Sequence, residues 1–206
     1  EQGQFYLFRM REHYERLANS AKILALDLKE SVDRLCDLTV DIVERSGYEE
    51  DVYLRPMVYT SSEVLGVRLH NVEYDTLIFL APFPAYLPEV ARCHTSTWRR
   101  VDDTGIPPRA KVTGIYVNSA LAKTEANLNG FDEAIMLNND GHVSEGSGEN
   151  IFVIRHGKLI TPAPSDNVLE GITAKSVIEL AQRELGIETV ERQIDRSELY
   201  IADEVF

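Results

Sequence analysis

The stretch HVSEGSGENIFVIRHGKLITP, residues 142–162, decides how the chain is read. Val, Ile, Phe and Leu cluster on both sides of His156-Gly157, so the segment predicts two strands joined by a turn there. The glycines of SEGSGEN interrupt the strand pattern beside Glu145. Glycines at such a place let backbone or a ligand approach closely, although the same letters also spell an ordinary polar turn. A carboxylate buried here needs a partner, because an unpaired charge is costly to bury. A protonated ring nitrogen is one such partner.

Downstream, Ala174, Val177, Ile178, Ala181 and Leu185 recur at helical steps, which predicts a helix over 173–185. Gly171, Ile172 and Thr173 stand at its start, where free N–H groups and the helix dipole suit a phosphate. Thr173 serves equally as an N-cap. TVERQI (189–194) reads as a strand and RSELYIA (196–202) as a short helix. Upstream come a strand at 132–138, a long helix at 114–128, a turn-rich loop at 102–108 and a strand at 92–98. APFPAYLPE (81–89) holds three prolines within seven positions and marks a domain boundary. Before it lie strands at 52–59 and 75–83, helices at 11–26 and 31–45, and a short strand QFYLF at 4–8. Ser31 can cap the second helix and Gly47 can stop it. Strands, helices and hairpins in this mixture predict an α+β fold. The expected division is a small α/β domain over 1–87 and a larger β-rich domain over 88–206.

Of 206 residues, 34 are acidic and 21 basic, a net charge of −13, and no basic cluster is present. Nucleic acid and anionic membrane surfaces are therefore poor partners. Cys36 and Cys93 are too few for a disulfide framework or a four-thiolate metal site. The five histidines are scattered, so no zinc-ligand spacing arises. No run approaches the roughly 20 apolar residues of a membrane span. A reducing cytoplasm is the expected location and no metal is expected. Glu1 is not a start residue and the chain stops on ELYIADEVF, so further residues are expected at both ends.

Lys111, in RAKVTGIYVNS, is one of only six lysines against fifteen arginines. It sits among small residues ahead of a helix. An amine sheltered from water becomes a candidate nucleophile or Schiff-base former, while a lone lysine is as readily a solvated one. Tyr116, five positions on, can ride on the helix that Lys111 leads into. Arg16 lies in the first helix, in REHYERL, and Arg55 lies in the apolar strand VYLRPMVY beside Pro56 and near Tyr53. An arginine in such a strand needs an anion or an acidic partner, and its fork suits carboxylate or phosphate.

Together, FRMREHYERLANSAKI, VYLRPMVY, IPPRAKVTGIYVNS, VSEGSGENIFVI, LEGIT and ELYIADEVF resemble, in order, the fold-type IV pyridoxal-phosphate enzymes, and most of all the branched-chain amino-acid aminotransferases. FPAYLPEVARCH is shorter than that family's interdomain segment. The resemblance implies pyridoxal 5′-phosphate as cofactor, bound between two domains. It implies that Lys111 bonds the cofactor and shuttles the α-proton, that Tyr116 hydrogen-bonds its phenolic oxygen, and that Glu145 faces its ring nitrogen. Arg16, Gly171, Ile172 and Thr173 match the phosphate-binding positions; Arg9 and Arg11 do not. Tyr53 and Arg55 match residues that meet the substrate, Arg55 being placed for the side-chain carboxylate of glutamate. The expected reaction is transamination of branched-chain L-amino acids with 2-oxoglutarate, by a homodimer or higher homo-oligomer. Within the same fold, a D-amino-acid or (R)-amine transaminase or an aminodeoxychorismate lyase is the alternative. A non-catalytic remnant without cofactor is the alternative of another class.

Overall fold

The computed structural model describes residues 4–83 and 88–206. The chain divides into two compact units, Glu1–Tyr86 and Leu87–Phe206. The boundary expected at Leu87 lies outside the described residues.

The first unit contains helices α1 (Met10–Ile23) and α2 (Val32–Ser46), then strands β1 (Val52–Thr60) and β2 (Tyr74–Pro82). The Ser31 side chain accepts from the Arg34 N–H, and Gly47 closes α2 in the left-handed conformation at φ 69°. Tyr14 of α1, with Leu35 and Cys36 of α2, forms the core, against which Ile78 of β2 packs. A buried hydrogen bond between the Tyr14 and Thr39 hydroxyls joins the two helices. β1 and β2 pair antiparallel, with Arg55 opposite Phe79 and Tyr53 opposite Ala81. Residues 4–8, expected as a strand, form none. A strand needs a partner to satisfy its ladder, and none of the described strands pairs with this segment.

The second unit opens with β3 (Cys93–Thr95) and continues through a short 3₁₀ turn (Thr113–Ile115) into α3 (Tyr116–Leu128). Then follow β4 (Glu133–Leu137), β5 (Val143–Gly146), β6 (Val153–Arg155) and β7 (Lys158–Thr161). α4 (Ile172–Leu185), β8 (Thr189–Glu191) and β9 (Glu204–Val205) complete it. β3, β4 and β5 make one sheet, and β8-β7-β6-β9 make another. β4 lies in the middle of the packing. Its Ala134 and Met136 meet Ala122 and Ala126 of α3, whose small side chains let helix and strand approach closely. Its Leu137 points into a second core with Val143, Val153, Ile160 and Ile194, which joins the two sheets. Burying each such large apolar side chain contributes about 1.5–3 kcal/mol.

Residues 142–162 form three strands rather than two. β5 pairs with β4, whereas β6 and β7 form a hairpin in the other sheet. The expected His156-Gly157 turn is there, with φ 52° and 72°, the paired left-handed geometry that matches strand twist. The strand expected at 92–98 stops at Thr95 because the Thr97 N–H and the Ser96 hydroxyl are taken by Glu125 of α3. The strand expected at 189–194 ends at Glu191. The Ile194 C=O then accepts from the Val143 N–H in the other sheet. The short helix expected at 196–202 is a 3₁₀ helix, Arg196–Tyr200. Among the described residues no helix is long and apolar enough to cross a membrane.

Candidate active site

β5 is buried along its whole length. Its register against β4 slips between Ile135 and Leu137, where two steps on β4 face three on β5. An extra residue of this kind re-aims nearby side chains, and it falls on the segment that delivers Glu145. The Glu145 residue is 5% exposed. Its Oε1 lies 2.6 Å from Arg100 Nη2. Its Oε2 accepts from the Leu169 N–H at 2.9 Å and from Asn150 Nδ2 at 3.2 Å. Burial pushes the carboxyl upward in pKa, while the Arg100 guanidinium, the Leu169 amide and the Lys111 ammonium pull against it.

Lys111 follows the buried Ala110 and precedes the 3₁₀ turn that feeds α3. Tyr116 is the first residue of that helix. Lys111 Nζ stands 5.4 Å from the centroid of the Tyr116 ring. The small neighbours suggested a sheltered amine, yet Lys111 is exposed. The turn buries Ala110 and Ile115 beneath it and leaves the lysine on the outside. Lys111, Tyr116, Glu145, Arg100 and Asn150 line one cleft.

Gly171 is the N-cap of α4, with no side-chain cap, so Thr173 does not play that part. Gly171 and Ile172 are buried and Thr173 is exposed. The glycine is required by space: a Cβ there would lie 2.0 Å from Asn150 Oδ1. Asn150 Nδ2 also donates to the Leu169 C=O at 2.9 Å. One asparagine therefore ties the buried carboxylate to the start of α4.

The first unit holds the other expected residues. Arg55 of β1 has its guanidinium 5.1 Å from the Tyr53 ring centroid and 5.8 Å from that of Phe79. It donates to the Tyr53 hydroxyl at 3.3 Å. Tyr53 in turn stacks on Phe83. Among the described residues no ion pair involves Arg55: aromatic faces, not a carboxylate, flank its charge. Arg16 lies on α1, where its C=O accepts from the Ser20 hydroxyl at 2.9 Å. Its neighbours Arg9 and Arg11 pair with Glu12 and Asp33.

Sequence reasoning missed Arg100 and Asn150. Arg100 is 5% exposed, and its partners stand on β5, α3 and the 167–169 segment. No local pattern in TWRRVDD separates it from Arg99. Asn150 lies inside SEGSGEN, and its closeness to Gly171, 21 positions on, is not encoded in any local spacing.

An amine, a phenol and a buried carboxylate in one cleft, with glycines where close approach is needed, are the equipment of an enzyme working on a ring-nitrogen cofactor. The chain belongs to the class IV aminotransferases: that family's model matches residues 2–206. It is 50% identical over 208 residues to a probable branched-chain-amino-acid aminotransferase of Aquifex aeolicus, covering 100% of this chain and 67% of the relative. The crystal structure of the branched-chain aminotransferase from Thermoproteus uzoniensis with norvaline superposes with a TM-score of 0.94 at 46% identity, covering 98% of this chain and 68% of that one. The PLP form of the Thermobaculum terrenum branched-chain amino acid aminotransferase also gives 0.94, at 38% identity, covering 100% and 67%. The chain thus spans about two thirds of the length of the relatives it matches. The donor set fits pyridoxal phosphate, since Glu145 can accept from a protonated ring nitrogen and Lys111 and Tyr116 share its cleft.

Proposed function

We propose that this chain transaminates branched-chain L-amino acids, with 2-oxoglutarate as amino acceptor and pyridoxal 5′-phosphate as cofactor. The observation that carries the reading is the single cleft shared by Lys111, Tyr116 and the buried Glu145. The bound cofactor supplies an electron-accepting ring that takes up the electron pair left when the substrate's Cα–H bond breaks. Lys111 would hold the cofactor through Nζ, and the same Nζ is the base that would take the substrate's α-proton at close range. Tyr116 donates to the phenolic oxygen. Glu145 keeps the ring nitrogen protonated, which an ionised carboxylate in a buried site does strongly. The backbone amides of Gly171, Ile172 and Thr173 would hold the phosphate at a helix start, and the family resemblance gives Arg16 a phosphate-binding role as well.

Tyr53 and Arg55 meet the substrate. The pocket has to accept an apolar side chain in one half-reaction and an acidic one in the other. Arg55 between two aromatic rings answers both needs: the rings offer apolar surface, and the guanidinium remains available to a carboxylate. The working unit is a homodimer in the cytoplasm, as the family resemblance implies. Two free cysteines, one buried and one exposed, agree with a reducing compartment.

The test is an assay of full-length protein with pyridoxal phosphate, 2-oxoglutarate and either L-leucine or D-leucine, reading glutamate formed. Glutamate from the L-isomer alone supports the proposal. Turnover of the D-isomer alone moves the chain to the D-amino-acid alternative.

A further inference from the structure

The hydrogen-bond capacity of Glu145 can be followed oxygen by oxygen. An ionised carboxylate offers about four in-plane acceptor positions, two on each oxygen. Both positions on Oε2 are used, by the Leu169 N–H and by Asn150 Nδ2. Among the described residues, Oε1 receives only Arg100 Nη2, at 2.6 Å. The position left open to a donor in the cleft is therefore on Oε1, the oxygen that Arg100 holds. Arg100 itself is fixed from three directions. Its Nη1 reaches the Ser119 hydroxyl on α3 at 3.4 Å, its Nε reaches the Asn167 C=O at 3.4 Å, and its backbone N–H donates to the Leu137 C=O at 2.9 Å. Arginine stays charged in proteins, so this clamp presents a permanent cation to the carboxylate.

From this we infer that Arg100 is a positioning residue for the reaction: it holds Glu145 ionised and orients it so that Oε1 is the oxygen offered to the cofactor's ring nitrogen. The inference rests on the reading of Glu145 as the carboxylate that meets that nitrogen. Burial alone favours a neutral carboxyl, which would meet the ring nitrogen as a competing proton donor rather than as an anion. A guanidinium bound to one oxygen opposes that, and two neutral donors on the other oxygen fix the rotation of the group. Ser119 and Asn167 serve the arginine in the same way, which makes the clamp part of the scaffold rather than a mobile side chain. Lysine would keep the charge but lose the fork that reaches Glu145, Ser119 and Asn167 together.

The test is a double-mutant cycle on the full-length protein, titrating the cofactor-free form with pyridoxal 5′-phosphate and recording thermal midpoints without cofactor. The variants are Arg100→Lys, Arg100→Met, Glu145→Gln and the Arg100→Met/Glu145→Gln pair. Removing one partner of a buried charge pair is expensive, so Arg100→Met is expected to weaken cofactor binding at least about tenfold when Glu145 is present. In the Glu145→Gln background the same change is expected to cost less than about twofold, because a neutral amide has no charge left for Arg100 to hold. Arg100→Lys is expected to fall between wild type and Arg100→Met. The thermal midpoint lost in Arg100→Met is expected to be partly regained in the pair. If Arg100→Met does not fold, regained folding in the pair supports the coupling; failure of both overturns it. Equal losses of cofactor affinity in the two backgrounds would overturn the inference and leave Arg100 as scaffold. Unchanged cofactor affinity in Glu145→Gln alone would instead overturn the reading of Glu145.

Discussion

Gly171 and Asn150 meet so closely that a Cβ on the glycine would lie 2.0 Å from Asn150 Oδ1. The glycine's own φ is −72°, open to any residue, so its requirement is one of space, not of backbone freedom. Asn150 cannot simply swing aside, since its amide serves both Glu145 and the Leu169 C=O. Gly171→Ala is expected to destabilise the fold by about 1–3 kcal/mol, the usual range for overpacking. Asn150→Ala opens the same space, so the alanine at 171 should cost less in that background. Chemical denaturation of the two single variants and the double variant checks this.

Lys111 is exposed and lies outside the packed cores, so Lys111→Ala is expected to change stability by no more than about 0.5 kcal/mol. Turnover should be abolished, because among the described residues no other lysine lines the cleft. Thermal melts beside steady-state rates separate these effects. Near-normal transamination by the variant would remove the lysine from its role.

Arg55→Ala should raise KM for 2-oxoglutarate far more than KM for the 2-oxo acid of leucine. A charged hydrogen bond contributes about 1.5–3 kcal/mol, which corresponds to roughly ten- to hundredfold on the acidic substrate. Equal losses on both substrates would make Arg55 a structural residue held between Tyr53 and Phe79.

Arg192 and Arg155 bind Glu198 from two sides and hold its pKa at about 2, down from 4.5. A carboxylate with a lowered pKa in the folded state stabilises the fold above its unfolded value and loses that contribution as pH falls through the folded one. The stability difference between wild type and Glu198→Gln should therefore be full at neutral pH and shrink as pH drops from 4.5 towards about 2. Urea midpoints measured across that window test the sign. A difference that grows on acidification would contradict the assignment.

Local chemistry was the most legible part of the chain. Ser31 as a cap, Gly47 as a stop and the His156-Gly157 turn depend on neighbours a few positions away, and all three stand where the sequence placed them. Sheet membership was less legible. Residues 142–162 read as one hairpin, but β5 is claimed by β4 and the remainder by the second sheet, and no periodicity encodes which strand a segment will meet. The expected strand at 4–8 failed for the same reason. In the candidate site, Lys111, Tyr116 and Glu145 could be named because they fall in recognisable blocks. Arg100 could not, since its importance lies in contacts with Ser119, Glu145 and Asn167, all distant in sequence.

The most direct measurement is a visible absorption spectrum of the full-length protein loaded with pyridoxal 5′-phosphate, recorded before and after adding L-leucine. The band of the lysine-bound cofactor should fade as the pyridoxamine form appears, and adding 2-oxoglutarate should restore it. A band that ignores L-leucine, or the absence of any band from the loaded protein, would contradict transamination of branched-chain L-amino acids at the Lys111 cleft.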